Sequence, residues 1–138
     1  MKTLCAILGL WCVTLSGSAT VRDGDTIRVN GVAVRLAGVD AEELWEPNGS
    51  AARGALMAII AGRSVQCAPT GKRSYERIVA TCAILGNPDA KGPTQLQDIG
   101  ALLIARGYAL DCARYSGGKY RDLEPPGVRD VLRQKPYC

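Results

Sequence analysis

Hydrophobic and polar residues alternate early in the chain in a way that predicts a β-hairpin. The alternation runs through residues 26–29 and again through 32–36, with the period of half-buried strands. Between the two runs stands Asn30-Gly31, a pair that accepts the positive φ angles of a type I′ turn. The apolar residues of the second strand share one face, so Arg35 projects from the other.

Further along, the spacing of apolar residues becomes helical. Ala52, Leu56 and Ile59 belong to a set that recurs at three- and four-residue intervals, which predicts a helix packed on the core and ending near Gly62. The pattern beyond it predicts strands over 64–67 and 77–85, joined by a loop over 68–76, and a turn at 86–88. It also predicts a second helix that begins between 94 and 98 and ends at Gly107. A short third helix over 128 to about 134 is predicted after Pro125-Pro126. Strands that close on a hairpin, with a helix after the third strand, suggest an α+β protein built on a five-stranded OB-type β-barrel with two to three helices.

The amino-acid composition restricts the catalytic mechanisms that this chain could use. With 138 residues and 47% hydrophobic content, the chain fits one domain with a real core. It has no histidine, which excludes mechanisms that need imidazole as a base or as a zinc ligand. Any general base must therefore be a carboxylate. The net charge of +4 is only mildly basic and by itself does not indicate a nucleic-acid partner.

The amino terminus has the pattern of a secretory signal. Lys2 supplies a positive charge, residues 4–15 are mostly apolar, and Gly17-Ser18-Ala19 resembles a cleavage site. The apolar run is shorter than the roughly 20 residues of a membrane-spanning helix. We therefore predict a signal peptide over residues 1–19, a domain over 20–138, and a secreted or periplasmic protein. An uncleaved anchor or a buried helix is the alternative.

Four cysteines remain after such cleavage, and an even number is typical of disulfides in an oxidising compartment. Three pairings are possible. We favour Cys67–Cys82, on two strands joined by the loop around Gly71, and Cys112–Cys138, which would pin the tail. A zinc site is the competing interpretation, but the chain has neither CxxC spacing nor histidine.

Charged residues cluster around the predicted hairpin. The acidic turn Asp23-Gly24-Asp25-Thr26 precedes it, and Val39-Asp40-Ala41-Glu42-Glu43 follows it. We therefore expect the hairpin to bring Asp25, Arg35, Asp40 and Glu43 within reach of one another.

Four motifs together resemble the staphylococcal nuclease (thermonuclease) family. They are DGDT at 23–26, RLxGVDxxE at 35–43, YxR at 75–77 and ARGYA at 105–109, and the resemblance runs from Val21 to about Tyr120. It implies a Ca²⁺-dependent phosphodiesterase that hydrolyses DNA and RNA with little sequence preference and leaves 3′-phosphate ends.

The resemblance also implies a calcium site. Asp25 and Asp40 correspond to carboxylate ligands of the ion, and the backbone carbonyl of Ala41 to a third protein ligand. Calcium takes oxygen ligands and leaves positions for water and phosphate in so sparse a shell. Asp23 corresponds to an outer-shell partner that acts through water.

The catalytic residues implied by the resemblance are Glu43, Arg35 and Arg77. Glu43 would be the general base that accepts a proton from the attacking water. The two guanidinium groups would hold the phosphate and stabilise the charge of the transition state, since their planar forks meet two oxygens at once.

The resemblance further implies a nucleotide pocket walled by Tyr75 and Tyr115, with Lys72 and Arg73 following the nucleic-acid backbone. The chain departs from the family pattern at Glu42, where proline is usual. An extra carboxylate there could raise the pKa of Glu43 or enlarge the metal shell. Ser74 and Ala113 replace a lysine and a second tyrosine common in family pockets.

Two other functions stay open. One is a catalytically inactive OB-fold module that binds nucleic acid, although the presence of both arginines together with Asp25, Asp40 and Glu43 argues against it. The other is a disulfide-stabilised interaction protein of the cell envelope. For the leading function we expect DNA and RNA as the partners, a monomer, and no stable membrane association after cleavage.

Overall fold

The protein is α+β, with a mixed sheet as its main layer. The computed structural model describes residues 2–7, 10–85 and 96–138, and the side chains from Leu15 onward within these ranges. The strands of this part are β1 (Lys2–Ile7), β2 (Leu10–Gly17), β3 (Ala19–Asp23), β4 (Thr26–Val29), β5 (Val32–Leu36), β6 (Val39–Asp40), β7 (Val65–Ser74), β8 (Arg77–Leu85), β9 (Leu96–Asp98) and β10 (Leu110–Asp111). Its helices are α1 (Gly49–Ile60), α2 (Ile99–Ala105), α3 (Ala113–Ser116) and α4 (Val128–Val131), with a 3₁₀ turn at Arg121–Leu123.

The main sheet has the strand order β1-β2-β7-β8-β5-β4-β3, and β9 pairs with β8 outside this path. Its pairs are antiparallel apart from β5 with β8, which run parallel. A second, smaller sheet joins β6 to β10. Along these pairings the described sheet is open, so the predicted closure into an OB-type barrel stays a prediction.

The predicted hairpin is confirmed. Strands β4 and β5 pair with Val29 opposite Val32, which leaves a two-residue turn. That turn has φ angles of 49° at Asn30 and 80° at Gly31, both in the left-handed region of a type I′ turn. The register also places Thr26 opposite Arg35, next to the acidic turn.

The first predicted helix is also confirmed. Helix α1 packs on β3, and its buried residues include Ala52, Leu56 and Ile59, the apolar set that the sequence pattern identified. The core contains no phenylalanine and is filled by small and branched aliphatic side chains. The largest fully buried ones are Ile27, Leu36, Leu56, Ile84, Ile99, Leu103, Ile104 and Leu110.

Other predicted bounds were wrong. The loop predicted over 68–76 instead forms the arms and turn of a β-hairpin, because β7 continues to Ser74. Strand β2 pairs with β7 only as far as Cys67. Pro69 lacks a backbone N–H, but at its position β7 has no hydrogen bonds to make with β2, so proline is tolerated there. Helix α4 ends at Val131 rather than near 134, and α3 had not been predicted. The turn predicted at 86–88 lies outside the described residues.

Both predicted disulfides are confirmed. Cys67 and Cys82 are opposite each other on β7 and β8, and Cys112 is joined to Cys138 at the end of the chain. Two disulfides are typical of a periplasmic or extracellular protein. Within the ranges described here, none of the helices has the length and apolar character needed to cross a bilayer.

The amino-terminal segment forms strands in the part that is described. Leu15 is buried and pairs with Cys67, and the Asn30 side chain donates a hydrogen bond to the Ser16 carbonyl. Cleavage near Ala19 stays a prediction, and it would remove these contacts.

Candidate functional site

The acidic turn is held against the rest of the site by close backbone packing. Gly24 is buried between two alanines, and a Cβ added to it would lie 2.7 Å from the Cβ of Ala41 and 2.8 Å from that of Ala52. Only glycine permits this approach, which brings the turn beside the residues after β6 and against α1. Asp25 follows directly and is buried, and Asp23 accepts a hydrogen bond from its backbone N–H.

Arg35 is fixed from three directions. Its Nη1 donates to the carbonyl oxygens of Leu36 and Val39, each at 2.7 Å, and its Nη2 lies 3.4 Å from Oδ2 of Asp25. The guanidinium therefore has a defined position before any ligand arrives, and its charge partly neutralises the buried aspartate.

Arg77 reaches the same cluster from the neighbouring strand. Parallel pairing sets Arg35 beside Val79, and Arg77, two residues earlier on β8, shares the face of Val79. Its Nη1 donates to Oγ1 of Thr26 at 2.8 Å, and the Thr26 hydroxyl donates to Asp25 at 3.1 Å. The predicted arginine pair is thus brought together around Asp25.

Lys135 is the residue that the sequence reasoning missed. Its Nζ lies 3.0 Å from Oδ1 of Asp40 and 2.6 Å from the Ala41 carbonyl oxygen, with Oε1 of Glu43 at 3.7 Å. Its backbone N–H donates to the other Asp40 oxygen at 2.9 Å. Lys135 alone therefore donates hydrogen bonds to both carboxylate oxygens of Asp40 and to the carbonyl oxygen of Ala41.

Glu42 and Glu43 point to different partners. Glu42 is buried, and its carboxylate accepts hydrogen bonds from the Asn48 side chain and from the backbone N–H of Arg133. It holds the loop and the tail together. Glu43 keeps about a third of its side chain exposed and lines an open groove. Of these two carboxylates, the one available to a ligand is therefore that of Glu43.

The groove has a volume of about 440 Å³, and cationic and aromatic side chains dominate its polar wall. All seven predicted catalytic and substrate-binding residues line it, namely Arg35, Glu43, Arg77, Lys72, Arg73, Tyr75 and Tyr115. Tyr137 joins them and meets Tyr115 edge to face, with ring centroids 6.3 Å apart. Neither Asp25 nor Asp40 belongs to the groove wall, whereas Lys135 does.

Two ionisable groups of the cluster have shifted pKa values. Burial raises the pKa of Asp25 to about 6, although the charge of Arg35 acts in the opposite direction. Burial lowers the pKa of Lys135, but the hydrogen bond and charge of Asp40, with the charges of Asp25 and Glu43, outweigh it and the net pKa is raised. Lys135 is therefore an ammonium ion at neutral pH.

In this arrangement the oxygens of the predicted calcium ligands are engaged by cationic and hydroxyl groups of the chain. Asp40 and Ala41 direct their oxygens to the Lys135 ammonium, and Asp25 directs its oxygens to Arg35 and Thr26. In the described part of the chain, no three acidic or cysteine side chains are grouped so that they could hold a metal ion.

One feature of the sequence indicated that the carboxy-terminal tail lies near the groove. The predicted bridge to Cys112 brings residue 138 close to Tyr115, so residues just before it had to lie near the groove. Nothing in the pattern indicated that Lys135 would reach Asp40, 95 positions earlier in the chain.

Comparison with known proteins gives one partial similarity. The chain matches no protein-family model. It is 34% identical over 115 residues to the succinoglycan biosynthesis protein ExoI of Rhizobium meliloti (strain 1021). The match covers 75% of this chain, which spans 56% of the length of that protein.

Proposed function

We propose that this chain is an exported phosphodiesterase of the staphylococcal nuclease family that hydrolyses DNA and RNA. The observation that carries the proposal is the groove itself, on which Arg35, Arg77 and Glu43 meet around an aromatic wall. Two guanidinium groups beside one accessible carboxylate suit a phosphodiester, which needs its negative charge neutralised and a water molecule activated.

Phosphate binding is assigned to the two arginines. Arg35 is held by two backbone carbonyls and Arg77 by the Thr26 and Ser74 hydroxyls. Because both groups are already ordered, little side-chain entropy is lost when a phosphate binds between them. A lysine in either position would keep the charge but lose the planar fork that meets two oxygens.

Glu43 is assigned as the proton acceptor. Its carboxylate lines the groove, and the chain has no histidine that could serve instead. In the proposed reaction the oxygen of a water molecule bonds to phosphorus while its proton passes to Glu43. The bond to the 5′ oxygen breaks, that oxygen takes a proton from solvent, and a 3′-phosphate remains.

Substrate contacts outside the reacting phosphate are non-specific in this proposal. Tyr75, Tyr115 and Tyr137 offer ring faces on which bases can stack, and stacking tolerates any base. Lys72 and Arg73 border the same groove and can follow the phosphate backbone electrostatically. This combination suits single-stranded DNA or RNA without sequence preference.

We also propose that the sheet acts as a closed barrel of the OB type. Strands β2 and β3 are separated by Ser18 alone, yet β2 pairs with β7 and β3 pairs with β4. In the chain before cleavage near Ala19, a single bent strand over this stretch would join the two sides of the sheet. Such closure supports the site, because β5 and β8 carry the two arginines.

A binding module without catalysis is the second candidate. It is favoured by one observation, which is that Asp25 and Asp40 are turned away from the groove and engaged by Arg35 and Lys135. In that case the groove would hold nucleic acid without cleaving it. Neither candidate includes a step that uses calcium, since the oxygens expected to bind it are engaged by other groups of the chain. Lys135 engages those of Asp40 and Ala41, and Arg35 and Thr26 engage those of Asp25.

The test is cleavage of single-stranded DNA and RNA by the exported, oxidised protein, compared with Glu43→Gln, Arg35→Lys and Arg77→Lys. We expect each substitution to lower the cleavage rate by about 10²-fold or more, the scale of removing a general base or a transition-state donor. Glu76→Gln and Arg28→Lys are matched controls, because both residues are exposed and outside the groove.

The outcomes separate the candidates. Cleavage that survives in Glu43→Gln would contradict the role of that residue. Salt-sensitive retention on DNA-cellulose without cleavage would favour the binding module. Absence of both, or release of fragments from succinoglycan used as a comparison substrate, would contradict the proposed function.

A further inference from the structure

The tail residue Lys135 lies where a cation of the site would have to lie. Its Nζ is 2.6 Å from the Ala41 carbonyl oxygen and 3.0 Å from Oδ1 of Asp40. Calcium binds oxygen at about 2.3–2.6 Å. A calcium ion bound by these two oxygens on the side that the ammonium occupies would overlap its nitrogen, so the two compete for this position.

The contact is built into the fold, because several independent bonds hold the tail on the site. Arg133 donates its backbone N–H to Glu42, and the Gln134 side chain donates to the Asp111 carbonyl at 2.8 Å. Cys138 is bonded to Cys112 just beyond. The side chain of Lys135 is only 17% exposed, and that of Asp40 is fully buried.

The charges of the cluster point the same way. Three carboxylates, Asp25, Asp40 and Glu43, lie near three cations, Arg35, Arg77 and Lys135. With all three cations in place the formal charge of the cluster is zero. Without Lys135 it would be minus one, so the carboxylates would be left with a negative charge that a metal cation could balance. Lys135 thus supplies in the chain itself part of the positive charge that the site requires.

From this geometry we propose that the ammonium of Lys135 takes the cation position of the site, so that the groove works on phosphodiesters without a divalent metal ion. Lys135 also lines the groove beside Arg35 and Glu43, so its charge would face a phosphate bound there. The part of this inference that concerns activity rests on the proposed function. The part that concerns cation binding does not.

Calcium binding is the decisive measurement. It is followed by isothermal titration calorimetry with CaCl₂ on the oxidised protein, for the wild type, Lys135→Ala, Lys135→Met and Lys72→Ala. We expect no site-specific binding by the wild type. We expect Lys135→Ala, which opens the position, to bind calcium with a Kd of about 10⁻⁴–10⁻³ M. Lys135→Met fills the space without charge and should not bind.

Lys72→Ala is the matched control, since it removes an equal charge from the same groove without touching Asp40. Adding Asp40→Asn to Lys135→Ala should abolish the new binding. Calcium binding by the wild type that Asp40→Asn abolishes would overturn the proposal. So would equal binding by Lys135→Ala and Lys72→Ala. Intact disulfides and thermal melting establish that each variant is folded, and if Lys135→Ala unfolds, the wild type and Lys135→Met decide.

Activity gives a second readout. We expect wild-type cleavage of single-stranded DNA to persist in EGTA, to fall about 10²-fold in Lys135→Ala, and to be partly restored in that variant by calcium. Wild-type cleavage abolished by EGTA would overturn the proposal. If no variant cleaves, the proposed function fails, and the calorimetry still decides which cation the site holds.

Discussion

At the scale of single residues, the site depends on how closely its backbone segments approach one another. The DGDT motif could be taken for an ordinary acidic turn, but its glycine has a packing role. Gly24 lies between Ala41 and Ala52, with no room for a side chain. The motif therefore sets the position of Asp25 as much as it supplies the carboxylate.

This packing makes Gly24→Ala a testable substitution. The added methyl group would lie 2.7 Å and 2.8 Å from two alanine Cβ atoms, so the turn or α1 has to move. Overpacking of this kind costs about 1–3 kcal/mol of unfolding free energy, which urea denaturation can measure.

Gly54→Ala is the matched control. Gly54 lies on α1, and a Cβ there meets nothing within 4 Å. Alanine should stabilise this exposed helix position by about 0.5–1 kcal/mol. Equal stability of Gly24→Ala and the wild type would contradict the close packing of the turn.

At the scale of elements, the carboxy-terminal tail is anchored through one ion pair in particular. Both carboxylate oxygens of Glu124 accept hydrogen bonds at 2.8 Å from Arg129, and one of them also accepts from the Asp111 backbone N–H. Burial raises the pKa of Glu124, but these bonds and the charge of Arg129 outweigh it, so the net pKa is below its ordinary value of 4.5.

The direction of this shift predicts a pH dependence. A lowered pKa means that the folded state binds the proton less tightly than the unfolded state does. The contribution to stability is therefore present above pH 4.5 and is lost as the pH falls through the lowered folded value. We expect Glu124→Gln to cost about 1.5–3 kcal/mol at pH 7, and the difference from the wild type to shrink toward pH 3.

Urea unfolding at pH 7, 5 and 3 measures this difference. Glu76→Gln serves as the control, because Glu76 also has a lowered pKa but pairs with Arg22 on the exposed surface of the protein. A difference between Glu124→Gln and the wild type that is unchanged at pH 3 would contradict the role of this ion pair.

The elements also show what the sequence could and could not predict. The Asn30-Gly31 hairpin and helix α1 were predictable, because turn chemistry and hydrophobic period act between near neighbours. The extent of β7 was not, because its second half is set by pairing with β8 and by the absence of β2 beyond Cys67. The position of the Lys135 side chain depends on its contact with Asp40, 95 residues earlier in the chain, and no local sequence pattern predicts such a contact.

At the scale of the whole molecule, the two disulfides fasten different parts. Cys67–Cys82 joins neighbouring strands across 15 residues, within the sheet that carries Arg77. Cys112–Cys138 spans 26 residues and fixes the tail that delivers Lys135. The first bridge stabilises the sheet, and the second keeps Lys135 in the site.

This division predicts different consequences for removing each bridge. In the chain-entropy model the two bridges contribute about 3 and 3.5 kcal/mol of unfolding free energy, so double alanine variants should be destabilised by similar amounts. Only the variant of Cys112 and Cys138 should release the tail, because nothing covalent then holds residues 133–138. Hydrogen exchange of the Lys135 amide, which donates to Asp40, should quicken in that variant and stay slow in the variant of Cys67 and Cys82. If the Lys135 amide exchanges equally slowly in both variants, the hydrogen bonds of Arg133, Gln134 and Lys135 are enough to hold the tail in place. The Cys112–Cys138 bridge then adds stability without determining the position of Lys135.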